Sequence, residues 1–156
     1  MLIKTGLDYV QTICKRVGKN NCLLISFCMK GCTIVSISRT LMESFLESAK
    51  TLYPKETILL LRGEKRKGMI KVTDLIVPPL ATYGQGFANI PTHMLPIDFS
   101  IVGTAHSHPS GNLLPSPADL NHFWGKILMI VGFPFADERN VAVYNHEGER
   151  LTLEIT

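Results

Sequence analysis

His106-Ser107-His108-Pro109-Ser110-Gly111-Asn112-Leu113-Leu114-Pro115-Ser116-Pro117-Ala118-Asp119 is the stretch from which the chain is best read. The run Phe99 to His106 leading into it reads as a strand, and period-two alternation sends His106 and His108 to one face. Pro109 ends the strand, and Gly111 with Asn112 lets the chain turn back. Ser116 starts a short helix over Ala118 to Gly125, so Asp119 falls in its first turn. A loop of this kind can return that carboxylate to the two imidazoles. Two imidazoles and a carboxylate suit a catalytic zinc, with a fourth position open to water whose pKa the ion lowers toward about 7. A structural reading competes with this one. A His-x-His pair on an exposed strand is usually solvated, and Ser116-x-x-Asp119 with Pro117 at the first helical position is a capping box. The two readings agree on Ser116 and compete for Asp119, because an aspartate bonded only to the cap backbone cannot also face a metal. The coincidence of strand-end histidines, a turn and an acidic helix start, in that order, favours the metal.

On the C-terminal side, Ile127 to Phe133, Val141 to Tyr144 and Leu151 to Ile155 read as strands, the last two joined by the turn Asn145 to Arg150. Upstream, Thr57 to Leu61 and Met69 to Val77 flank a basic tip, Arg62 to Gly68, that reads as a solvated hairpin end. Leu80 to Asp98 is a long loop, and such loops in compact domains tend to be functional or mobile. Thr40 and Glu43 form a capping box for a helix whose apolar stripe runs from Leu41 to Tyr53 and which Pro54 stops. Gly6 to Val17 carries Leu7, Val10, Ile13, Cys14 and Val17 at helical spacing. Cys22 to Met29 reads as a buried strand with Thr33 to Ser38 as its hairpin partner. Helices and strands do not alternate regularly, so the expected class is α+β with a mixed sheet.

The chain has 156 residues, 46% hydrophobic and 19% charged, which fits one globular domain and excludes disorder as the main state. A net charge of +3 is too weak to argue for nucleic acid. No apolar run reaches a membrane span, and the first residues lack a signal-peptide pattern. Cys14, Cys22, Cys28 and Cys32 are clustered rather than spread as a disulfide framework, so we expect reduced, buried thiols and a cytoplasmic protein. His122, His93 and His146 read as surface residues, and Trp124 as core or a cleft wall.

The pattern His106-Ser107-His108-Pro109 followed by Ser116-x-x-Asp119 resembles the JAMM (MPN+) motif of zinc metallopeptidases. Tyr53-Pro54-Lys55-Glu56 and the apolar strand after it resemble that family's acidic strand start. The likeness runs from about Thr33 to the C-terminus, and Leu95-Pro96-Ile97 and Gly132-Phe133-Pro134 resemble archaeal members. It implies a curved mixed sheet or partial barrel flanked by helices, related to cytidine deaminases. Residues 33–156 would form the catalytic core, and residues 1–32 an added helix and strand within a single domain. By resemblance, His106, His108 and Asp119 bind one Zn2+. Glu56 serves as general base and then protonates the leaving amine. Ser116 donates to the oxyanion, a contact whose loss costs about 100- to 1,000-fold in rate. The implied substrate is a ubiquitin-like protein joined through its C-terminal glycine, with Gly86 to Thr92 pairing along its tail by strand addition. Other readings are a zinc amidase or peptidase acting on small peptides or sulfur-carrier adducts, a RadC-type protein, and a non-catalytic MPN scaffold. Neither nucleic acid nor membrane is expected as a partner. The oligomeric state, a homodimer included, stays open.

Overall fold

The computed structural model describes the backbone of residues 10–16, 22–28, 33–78, 82–84, 87–89 and 98–156, and the side chains of 33–78 and 98–156. The chain divides into two units, Met1–Cys32 and Thr33–Thr156.

In the first unit, β1 (Val10–Arg16) pairs antiparallel with β2 (Cys22–Cys28), from Val10 opposite Cys28 to Arg16 opposite Cys22. The helix expected over Gly6 to Val17 is therefore wrong where the structure describes it. Apolar residues at helical spacing are ambiguous in so short a segment. The β-branched Val10, Thr12 and Ile13 lose rotamer freedom in a helix and fit a pleated ladder. The expected hairpin of Cys22 to Met29 with Thr33 to Ser38 is also corrected, because β2 takes β1 as its partner. The side chains of the four cysteines lie outside the described residues.

In the second unit, β3 (Ile34–Ile37) leads into α1 (Arg39–Leu52). Then follow β4 (Ile58–Arg66), β5 (Met69–Ile76), β6 (Thr82–Gly84) and β7 (Phe87–Asn89). β8 (Ile101–His108), α2 (Pro117–His122), β9 (Ile127–Gly132), β10 (Val141–Tyr144) and β11 (Thr152–Ile155) complete the unit. Seven strands form one mixed sheet in the order β10-β9-β8-β4-β5-β3-β11. β3 runs parallel to both β5 and β11, an interior position that suits a strand buried on both faces. The strands β10 and β11 stand at opposite ends of that order, yet Leu151 N–H donates to Val143 O at 2.8 Å and Tyr144 bridges Arg150. The turn Asn145 to Arg150 thus brings the two sheet ends together, and the sheet nearly closes into a barrel. The α+β class with a partial barrel holds.

In-register partners share a face of the sheet. Leu59, Leu61, Ala105, Met129 and Val131 belong to the core that α1 covers with Met42, Phe45, Leu46 and Ala49. Each such side chain contributes about 1.5–3 kcal/mol when fully buried. On β9 and β10, Leu128, Ile130, Ala142 and Tyr144 form a smaller cluster, capped by Leu113, Leu120 and Phe123 from the loop after β8, from α2 and from the residue after it. His106 lies opposite Ile130 on one side and Ile58 on the other.

Several boundaries move. The cap of α1 is Ser38, whose Oγ accepts Leu41 N–H at 3.3 Å, two residues before the expected Thr40. β4 runs through most of the basic tip with a bulge at Arg62/Gly63, leaving only Lys67 and Gly68 as the turn. A Cβ at Gly63 would stand 2.2 Å from Lys71 O, so only glycine fits that bulge. Of the segment expected to hold a substrate tail, Phe87–Asn89 pairs antiparallel with Thr82–Gly84, while Gly86 and residues 90–92 lie outside the described residues. No described helix is long and apolar enough to cross a membrane.

Candidate metal centre

β8 is buried along nearly its whole length, and it delivers the two histidines. The rings of His106 and His108 stack with centroids 4.8 Å apart and planes at 23°. After His108, the His108 carbonyl accepts both Gly111 N–H at 3.0 Å and Phe133 N–H at 3.1 Å, which pins the return of the loop against the end of β9. Gly111 makes this turn at φ +78°, a conformation natural to glycine. The loop then enters α2 with Pro117 in its first turn.

His106, His108 and Asp119 converge, with one donor atom from each within 4.8 Å of the others. Asp119 Oδ1 lies 3.8 Å from His106 Nε2, and Oδ2 lies 3.6 Å from His108 Nε2. His108 Nδ1 is 2.6 Å from the Asn112 carbonyl. A carbonyl only accepts, so Nδ1 carries the proton and Nε2 turns its lone pair to the site. His106 Nε2 is, among the described residues, the buried side-chain nitrogen or oxygen with no hydrogen-bond partner. A buried polar atom without a partner is costly, and a metal ion held here through the Nε2 lone pair would satisfy it.

The conflict over Asp119 is resolved by division of labour. Asp119 N–H donates to Ser116 Oγ at 3.1 Å, and Ser116 N–H donates to Asp119 Oδ2 at 2.6 Å. The capping box is complete, and it aims the carboxylate at the histidines instead of withdrawing it. Cap and ligand are not exclusive, because a carboxylate has two oxygens: Oδ2 takes the cap N–H while Oδ1 faces His106.

The electrostatics keep two of the three donors, His106 and Asp119, ready for a cation. Burial pushes the His106 pKa down to about 4, so the ring is neutral at pH 7. Burial works to raise Asp119, but His108, the Ser116 N–H and His106 outweigh it and hold the carboxylate well below its usual range. Burial works to lower His108, and the Asp119 carboxylate and the Asn112 carbonyl outweigh it, so its pKa is raised. Glu56 is half-buried just before β4. Desolvation raises its pKa, with His108 pulling it down and Asp119 pushing it up. It is therefore an electrostatic neighbour of the cluster.

Ser107 is a part of this site that the sequence reading passed over. It faces away from the histidines and is fully buried. Its Oγ accepts Thr57 N–H at 2.8 Å, and its N–H donates to Thr57 O at 3.0 Å. The strand carrying the histidines is thereby tied to the residue next to Glu56. A buried serine between two histidines was the available signal. We predict that Ser107→Ala strands the Thr57 N–H and lowers stability by about 1–3 kcal/mol in urea unfolding. An unchanged midpoint would mean that water reaches this amide.

The remaining residues do not join the cluster. His122 is exposed, with Nδ1 on Ala118 O at 2.7 Å. His146 is exposed, stacks on Phe123 at 4.0 Å and reaches Gly125 O at 2.8 Å. Trp124 is 39% exposed and so is not core; its backbone exchanges hydrogen bonds with Thr104 Oγ1. His93 and Leu95-Pro96-Ile97 lie outside the described residues.

Comparison with known proteins agrees with this arrangement. Residues 38–145 match the family described as prokaryotic homologs of the JAB domain. A protein of Haloferax volcanii named a probable metalloprotease is 32% identical over 130 residues, covering 78% of this chain and 80% of that protein. A solved JAB1/MPN domain protein from Archaeoglobus fulgidus is 35% identical, with a TM-score of 0.57 over 78% of this chain and 98% of that one. A structure described as JAMM, a metalloprotease-like zinc site in the proteasome and signalosome, gives the same identity and TM-score over 80% and 99%. A protein from Desulfitobacterium hafniense, 15% identical with a TM-score of 0.57 over 78% and 92%, speaks to the fold alone. The converging His-His-Asp group, the nearly closed mixed sheet and these likenesses lead to one assignment: the chain belongs to the JAMM/MPN+ metalloprotease-like family, among the prokaryotic homologs of the JAB domain.

Proposed function

We propose that this protein is a zinc-dependent isopeptidase that hydrolyses the bond after the C-terminal glycine of a ubiquitin-like modifier. The observation that carries the reading is the buried, unpartnered His106 Nε2 facing Asp119 beside His108, with Glu56 as an electrostatic neighbour. His106, His108 and Asp119 hold one zinc ion per chain. When bound, zinc supplies Lewis acidity and a nucleophile available near neutral pH. The half-buried Glu56 carboxyl, an electrostatic neighbour of His108 and Asp119, suits a group that takes a proton and later returns it to the leaving amine. Ser116 Oγ accepts from Asp119 N–H, which leaves its own O–H free to donate to a developing oxyanion.

Assays of zinc-loaded protein on an isopeptide-linked modifier conjugate, and on short peptides, test this directly. Cleavage of the conjugate at the glycine, abolished by chelator and restored by zinc, is the expected result. Stoichiometric zinc with cleavage of peptides alone would move the substrate to the small-peptide class. Failure to hold zinc after reconstitution would favour a scaffold.

Zinc affinity carries its own pH signature. Protons compete with the metal for ligand lone pairs. His106 is neutral down to about 4 and Asp119 is ionised, so only His108, with its raised pKa, must shed a proton at mildly acid pH. Log K for zinc should fall by about one unit per pH unit below the His108 pKa, and not by two. Calorimetry in two buffers of different ionisation enthalpy reads this number, and release of two protons would refute the assignment of neutral His106.

A further inference from the structure

We propose that the turn Asn145 to Arg150 is a positioning device for Asp119, in which His146 and Gly148 hold α2 at the angle that presents its carboxylate to His106 and His108. This rests on the metal-binding half of the proposed function and not on its substrate. Ser116 caps α2 and Asp119 lies in its first turn, and the helix has 6 residues, none of them buried. So short a helix has little stability of its own, and its placement comes from what it touches. Leu120 and Phe123 pack on Leu128, Ile130, Ala142 and Tyr144. Apolar packing of that kind is non-directional and leaves the tilt of the helix open.

The turn supplies the directional contacts. The ring of Phe123, the C-cap of α2, stacks on His146 with centroids 4.0 Å apart and planes at 16°. His146 Nε2 lies 2.8 Å from the Gly125 carbonyl, which only accepts, so Nε2 carries the proton and donates. Leu120, the neighbour of Asp119, lies against Gly148, where an added Cβ would stand 3.2 Å from Leu120 Cδ1. The turn is stiff enough to act as a brace. Asn145 N–H donates to Glu149 O at 3.0 Å, and Asn145 Oδ1 accepts Glu147 N–H at 3.0 Å and Glu149 N–H at 2.9 Å.

The metal centre is sensitive to that tilt. Asp119 Oδ2 takes the Ser116 N–H, and Oδ1 is the oxygen turned to His106. The histidines sit on β8, which is fixed between β9 and β4 in the sheet, so a change of tilt moves Asp119 relative to both of them. Metal–ligand distances tolerate only about 0.2 Å of error. His146 touches no ligand and acts through α2, which makes it a positioning residue.

Two readouts test the device: zinc affinity by competition with a chromophoric chelator, and the visible bands of the Co2+-loaded protein, which report ligand geometry. His146→Ala should weaken zinc by about tenfold and alter the Co2+ bands. His146→Gln places a flat amide whose N–H can reach the Gly125 carbonyl, and should return both readouts toward wild type. Phe123→Leu keeps an apolar side chain but loses the stack, and should alter the bands as well. Ile37→Val, a truncation in the core on a strand three places from β8, should lower the melting temperature and leave zinc affinity and bands unchanged. Thermal melting shows that each variant is folded at the assay temperature. Wild-type affinity and bands in folded His146→Ala, or a loss that Ile37→Val matches, overturns the device. Wild type that holds neither ion overturns the metal reading and the device together. A His146-dependent zinc affinity in a protein that cleaves no conjugate keeps the device and overturns the isopeptidase reading alone.

Discussion

Glu56→Gln is expected to retain one zinc ion per chain while kcat falls by about 100- to 10,000-fold, with little change in KM. The substitution keeps size and polarity and removes only the ability to exchange a proton. Glu56 is not in the group of converging donors, so metal content does not depend on it. Its raised pKa follows from burial first, with the charges of His108 and Asp119 opposing one another. Metal analysis and steady-state kinetics on the same preparation separate the two effects. Loss of zinc in Glu56→Gln would make this residue a ligand. Near-normal turnover with zinc retained would move the general base to another group. The pH profile gives a second check: the acid limb of kcat/KM in wild type should report ionisation of the Glu56 carboxyl, and Glu56→Gln should abolish that limb.

The candidate site was more legible than the fold around it, for a physical reason. Ligand chemistry is written in residue type and local spacing, so His106, His108 and Asp119 could be picked from one short stretch. What that stretch could not show was simultaneous use of both Asp119 oxygens, which depends on the entry angle of α2. Strand existence was readable from β-branched runs, while strand pairing was not. Thr33 to Ser38 looked like the partner of Cys22 to Met29, yet Ile34–Ile37 is inserted between β5 and β11, far along the chain. Hydrophobic periodicity reports a buried face and carries no information about which edge is joined. The role of Ser107 was hidden for a similar reason, since its partner Thr57 is remote in sequence.

His106→Leu should abolish zinc binding and activity, and yet raise the stability of the metal-free protein. In chelator, wild type carries a buried His106 Nε2 with no hydrogen-bond partner. Leucine of similar volume removes that polar atom, which relieves about 1–3 kcal/mol. Zinc reverses the order. Binding to the folded state alone stabilises by mass action, about 4 kcal/mol when free zinc exceeds Kd 1,000-fold, so loaded wild type should stand above the variant. Unfolding in urea with chelator and with zinc gives four midpoints, and the prediction is a crossing between wild type and variant. The opposing contribution is packing, since the His106 ring stacks on His108 at 4.8 Å and leucine cannot reproduce that contact. A variant less stable than wild type in chelator would show that the stack outweighs the orphaned nitrogen. A variant that still bound zinc would remove His106 from the metal centre. The crossing would identify His106 as a residue that this fold retains for the metal at the expense of the metal-free state.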